Sequence, residues 1–180
     1  GTSFLADAFF VAFRIPNTFR RLFAEGSFNS AFIPSYMSEL VKNKSRSNKF
    51  ANDVFNLLFL VLFFLVLIIE IFMPIFVGLI APGFVEDIKK FELATTLTRI
   101  TFPFLLFVSL SSFFGAILNS HNKFAAASAA PIVLNVVLII ILLFGRYLGD
   151  ELIYYLSYGI SLAGLLQLIF LYRFVKKYYV

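Results

Sequence analysis

The sequence predicts an all-α polytopic membrane protein, and three observations predict it. Hydrophobic residues make up 61% of the 180 positions and charged residues 14%, against roughly 45–50% and 25% in ordinary soluble domains. The apolar residues gather in runs that reach the roughly 20 residues a helix needs to cross hydrocarbon. No run shows the alternation over about ten residues that a membrane β-barrel requires. Five crossings are expected within one transmembrane unit covering 1–180, at about 6–41, 54–80, 93–118, 124–144 and 152–174.

The first segment is the least uniform, because Arg14, Arg20, Arg21 and Glu25 interrupt it. Pro16 removes a backbone donor there and is expected to kink the helix. The second, Val54 to Ile80, is almost wholly apolar apart from Glu70. Asn52 and Asp53 stand before it as candidate caps, and Pro82-Gly83 interrupts its continuation. The stretch E-D-I-K-K at 86–90 reads as a short interfacial turn or helix.

In the third segment Arg99 enters an apolar run four residues before Pro103, whose missing N–H breaks the helical bond to the Arg99 carbonyl. The fourth carries Pro131, a candidate kink. In the fifth, Gly159 and Ala163 have small-xxx-small spacing, and Gly164, like Gly115 of the third, allows close packing. Asn56, Asn135 and Gln167 are expected to hydrogen-bond between helices.

Basic residues set the expected orientation. Lys42, Lys44, Arg46, Lys49, Lys123, Arg173, Lys176 and Lys177 fall in connections on one side, whereas Lys89, Lys90 and Arg146 on the other are balanced by acids. The positive-inside rule places the first group in the cytoplasm. The start, G-T-S-F-L-A-D-A, has no basic region before its apolar residues and does not read as a signal peptide. With five crossings residue 1 would lie outside, so a preceding helix is expected and the sequence is read as a piece of a longer protein.

Several function classes lose support. Cysteine is absent, so thiolate metal sites and disulfides play no part. His121, the single histidine, sits in L-N-S-H-N-K-F without a convergent ligand set and reads as a solvated loop residue. No phosphate loop, HExxH or Ser-His-Asp pattern occurs, and the net charge of +5 lies in short connections rather than on a soluble face suited to nucleic acid. No cofactor is expected.

What remains is charge inside the membrane segments. At 100° per residue, Asp7, Arg14, Thr18, Arg21, Glu25 and Asn29 share one helix face, while Arg20 falls elsewhere on a straight wheel. Ionisable groups in such a setting are expensive and suggest a water-filled or ligand-filled path. Arginines there suit the paired hydrogen bonds that phosphate oxygens accept. The competing reading is internal pairing, Arg21 with Glu25 at i,i+4 and Arg14 with Asp7 or an absent helix. Arg99 is a second cavity candidate, and Glu70 reads either as a cavity residue or as a structural partner.

The stretch D-A-F-F-V-A-F-R-I-P-N-T-F-R-R-L-F-A-E-G-S-F-N-S-A-F-I-P from Asp7 resembles the MurJ/MviN family of bacterial lipid II flippases. Further resemblance lies in A-P-G-F from Ala81, T-R-I-T-F-P-F from Thr98, G-A-I-L-N-S from Gly115 and F-A-A-A-S-A-A-P-I-V-L-N from Phe124. The resemblance implies helices two to six of the first bundle of a fourteen-helix, two-bundle transporter of the multidrug/oligosaccharidyl-lipid/polysaccharide exporter fold. The first helix and the second bundle would then be partners outside this sequence.

It also implies a transporter rather than an enzyme, multi-pass in the bacterial inner membrane, that carries lipid II to the periplasmic leaflet. The matching positions are Asp7 and Arg20, with Arg14 and Arg21 in the surrounding basic motif. From the residues themselves, Glu25 and Arg99 are further cavity candidates and Pro16, Gly26 and Pro103 candidate hinges. A flippase for another polyprenyl-linked saccharide and a non-transporting scaffold held by buried ion pairs are the alternatives.

Overall fold

The computed structural model describes residues 2–25, 27–147 and 149–179, with side chains for all of these except 2, 3, 15, 19, 20, 22–25, 27 and 146. Every regular element among them is helical. The first expected segment is helical on both sides of residue 26, which lies outside the described residues, as α1 (Thr2–Glu25) and α2 (Ser27–Lys42). The second is α3 (Lys44–Ile71) followed by α4 (Met73–Ile80). The third divides into α5 (Ile88–Thr101) and α6 (Phe104–Ser120), and then come α7 (Phe124–Phe144) and α8 (Leu152–Val175).

Among the described residues, four stretches are long and apolar enough to cross a membrane: Lys44–Ile71, Ile88–Ser120, Phe124–Phe144 and Gly149–Val175. The α1–α2 stretch, expected as a crossing at 6–41 and carrying Arg14, Arg20 and Arg21, is not among them.

Polar chemistry explains where these helices start and break. Asn43, in extended conformation, caps α3 by accepting from the Ser45 N–H at 2.8 Å. Asn52 and Asp53 therefore lie inside the helix rather than at its start, a correction to the sequence expectation. An upstream cap took precedence, and the polar turns from Lys44 onward extend the helix beyond the hydrocarbon run. Asp87 caps α5, accepting from the Lys90 N–H at 3.2 Å, so in the stretch 86–90 Glu86 lies in a turn, Asp87 is the cap, and residues 88–90 open the long helix itself. Pro74 stands at the start of α4, directly after the break at Phe72.

The Ile88–Ser120 stretch is the spine. Of its apolar window 72% is buried, against 6% for those of α3 and α7, which flank it with exposed aliphatic faces. Ala8 and Ala12 bring α1 close onto α5, in a core with Met73, Val77, Leu97 and Phe102. At the other end the core is aromatic, built on Phe32, Tyr36, Phe113 and Phe114. Between them Gly164 of α8 meets the fully buried Phe104 ring. Gln167 is buried as an interhelical residue would be, whereas Asn56 and Asn135 are exposed.

His121 is packed rather than solvated. Its Nε2 lies 3.1 Å from the Tyr36 hydroxyl, and its ring stacks on Tyr178 at 4.8 Å. Nearby, the Tyr179 hydroxyl donates to Asn52 Oδ1 at 2.6 Å. These contacts join α2, α3, the α6–α7 turn and the residues after α8 at one end, where the three basic connections meet.

Burial, and then the charge of Lys44, hold the His121 pKa below its usual value. A histidine whose folded pKa is depressed adds stability above its unfolded value of about 6.5 and loses it as pH falls through the folded value. Melting of the protein should therefore drop as pH falls below about 6.5. In His121→Gln that part of the pH dependence should be absent.

Candidate functional site

α1 shows how the sequence sorts its charges. Ala8, Ala12 and Pro16, at i, i+4 and i+8, form a buried stripe; Asp7, Phe10, Arg14, Thr18 and Arg21 form the exposed one. The stripe keeps its phase through the proline. Arg14 and Arg21 therefore stand on the same exposed face, about 10 Å apart along the axis. Thr18 Oγ1 turns back to the Arg14 carbonyl at 2.8 Å, next to Pro16. Asn29, expected on this face, instead sits partly buried in α2 and lines a half-open cavity. The side chains of Arg20 and Glu25, and all of Gly26, lie outside the described residues.

Asp7 meets a cation that sequence spacing did not identify. Its Oδ2 accepts from Lys90 Nζ at 2.8 Å, and Lys90 also sits 4.4 Å from the centre of the Phe84 ring. The pair ties the start of α1 to the start of α5. The signal available in sequence was K-K in the first turn after the Asp87 cap, but its partner lies 83 residues away.

The two prolines create a linked pair of backbone problems. In a regular helix residue 16 would donate to the Ala12 carbonyl, and Pro16 cannot. Thr101 of α5, with its hydroxyl buried, donates to that carbonyl at 2.9 Å and shares the proton with the Thr98 carbonyl at 3.1 Å. Two residues further on, Pro103 separates α5 from α6, and Ser161 of α8 donates to the Ile100 carbonyl beside the break. Each proline site is thus braced by a hydroxyl from a neighbouring helix, which binds α1 to α5 and α5 to α8.

Thr101→Val should cost about 1–3 kcal/mol, because it leaves a buried carbonyl without a donor. In a Pro16→Ala background the same substitution should cost about 1 kcal/mol less, since residue 16 then supplies an N–H. A double-mutant cycle on unfolding of the intact protein measures the difference.

Arg99 is exposed on α5, one residue before Ile100. Its charge acts on Glu70 of α3, whose Oε1 is buried without a hydrogen-bond donor. A separate cavity of about 190 Å³ lies among α2, α6, α7 and α8, lined by Asn29, Ser111, Ser112, Asn119, Ser128 and Gln167 among others. Among the described residues it is lined by amides and hydroxyls and by no charged side chain, so Arg14, Arg21 and Arg99 are not brought together there. Among the described residues no group of three or more His, Asp or Glu side chains is placed to hold a metal ion.

Residues 1–180 match the family model described as Lipid II flippase MurJ. The chain belongs to the MurJ family. A probable lipid II flippase MurJ from Rickettsia prowazekii (strain Madrid E) is 44% identical over 178 residues, 98% of this chain and 35% of that protein. One from Rhizobium meliloti (strain 1021) is 44% identical over 173 residues, 93% and 32%. A solved structure described as lipid II flippase MurJ in an inward closed conformation superposes with a TM-score of 0.77 at 28% identity, over 92% of this chain and 34% of that one. The chain thus spans about a third of the length of the MurJ relatives it matches, and those relatives carry the name of a transporter rather than of an enzyme.

Proposed function

We propose that this protein moves lipid II, the undecaprenyl-pyrophosphate-linked peptidoglycan precursor, from the cytoplasmic to the periplasmic leaflet of the bacterial inner membrane. The observation that carries the reading is the exposed stripe of Arg14 and Arg21 on a helix whose opposite face is buried, in a chain of the MurJ family. Guanidinium groups suit bidentate hydrogen bonds to phosphate oxygens and keep their charge at any relevant pH. Long side chains two turns apart can reach two linked phosphates. Arg20 and Arg99 complete the proposed cationic wall, and Asp7, held by Lys90, fixes the outer end of α1.

The transport cycle is alternating access. The pyrophosphate and sugar enter from the cytoplasmic side, the headgroup is occluded, and relative motion of two helical bundles opens the outer side. The polyprenyl tail stays in lipid while the headgroup crosses a hydrated cavity. Pro16, Gly26 and Pro103 mark where α1–α2 and α5–α6 would bend. The first helix and second bundle of the family would supply the facing wall.

The test is leaflet-resolved translocation of lipid II by the intact protein in proteoliposomes, with other polyprenyl-linked saccharides as competitors. Movement of lipid II that these competitors inhibit poorly supports the proposal. Correctly inserted protein that moves another saccharide lipid in preference, or moves none, overturns it.

A further inference from the structure

A second cavity, of about 620 Å³, opens where the α6–α7 turn meets the end of α8. Three cations line it: Lys123 before α7, Arg173 in the last turn of α8, and Lys177 just beyond. Among the described residues no carboxylate lines the cavity, and none of the three cations is in an ion pair. The remaining wall is largely apolar, with Phe124, Phe170 and Phe174 prominent. A site with three uncompensated positive charges and an aromatic floor selects an anion that carries hydrocarbon.

The surroundings give that hydrocarbon two tracks. On α7 the exposed face continues from Phe124 through Ile132, Val136 and Ile139; on α8 it runs from Phe174 back to Leu166 and Leu162. Both spacings follow one side of a helix. Two apolar tracks leaving one cluster of cations fit a lipid with two chains better than a single-chain carrier. Basic pockets between transmembrane helices at the cytoplasmic surface are suited to anionic headgroups.

We propose that this cavity is a binding site for an acidic glycerophospholipid, its phosphate and headgroup held by Lys123, Arg173 and Lys177 and its acyl chains laid along α7 and α8. The site shares no residue with the arginine stripe of α1. A lipid held there would fasten the α6–α7 turn to the end of α8, beside the His121 and Tyr178 stack.

Native mass spectrometry of the intact protein in neutral detergent tests this, with phosphatidylglycerol as probe and phosphatidylcholine as comparison. Retention of phosphatidylglycerol should weaken about fivefold for each cation replaced by Gln, and on the order of a hundredfold in the triple variant Lys123→Gln, Arg173→Gln, Lys177→Gln. Lys176→Gln, exposed but outside the cavity, should leave it unchanged. Lys177→Gln alone lies beyond the helix and keeps the test readable if the triple variant is unstable.

Equal retention by wild type and Lys177→Gln, or phosphatidylcholine held as tightly as phosphatidylglycerol, overturns the proposal. So does displacement by a polyprenyl diphosphate at lower concentration than phosphatidylglycerol itself, which would assign the site to the carrier lipid. The readout is lipid retention, so failure here is distinguishable from failure of the transport reading.

Discussion

Replacing Arg14 by Gln should lower lipid II translocation by about 10- to 100-fold, with insertion and helix content unchanged. The magnitude follows from hydrogen bonds to a charged group, worth about 1.5–3 kcal/mol each, at about 1.4 kcal/mol per factor of ten in rate. Arg21→Gln should act in the same direction, because both guanidiniums stand on the exposed stripe of α1. Arg14→Lys keeps the charge but loses the planar fork, so it should recover only part of the rate. Arg46→Gln, in the exposed polar turn of α3, is the control for loss of positive charge alone. Leaflet-resolved transport at matched protein density reads all four. If Arg14→Gln and Arg21→Gln both transport normally, the stripe serves packing or insertion, and the phosphate-binding role falls.

The helical class and the membrane-grade runs were legible because both rest on local chemistry, run length and the absence of strand alternation. The exposed face of α1 was legible for the same reason. Asp7, Arg14, Thr18 and Arg21 keep the phase of a straight wheel, since the carbonyl left by Pro16 is taken by Thr101 and the helix continues.

Contacts between distant segments were not legible. Lys90 on Asp7 and Tyr36 on His121 join residues 83 and 85 positions apart, and no periodicity encodes such meetings. The start of α3 was misread because two cap signals compete there. Asn43 lies in polar sequence, while Asn52 and Asp53 adjoin the apolar run that drew attention. Asn29 does not keep the phase of a wheel drawn from Asp7: it is half-buried in α2, against α6 and α8.

Gly164→Val should be the most destabilising single substitution among the described glycines. A Cβ at Gly164 would stand 2.6 Å from Phe104 Cδ2 and 3.2 Å from Phe107 Cβ, and Phe104 is fully buried at the start of α6. Neither neighbour is a free chain end, so relief requires α8 to move away from α6. Overpacking of this kind costs typically about 1–3 kcal/mol, and a β-branched residue adds two further methyl groups to the clash. Gly159 makes the informative comparison. Its added Cβ would meet Ile141 Cδ1, the far end of a flexible side chain on the exposed helix α7, which can rotate aside. Gly159→Ala should therefore cost well under the Gly164→Ala penalty, although both glycines are buried on the same helix. Thermal unfolding of the two alanine variants and of Gly164→Val in the intact protein decides the matter. Equal losses at the two positions would mean that α8 is not pinned to α6 by the Phe104 contact.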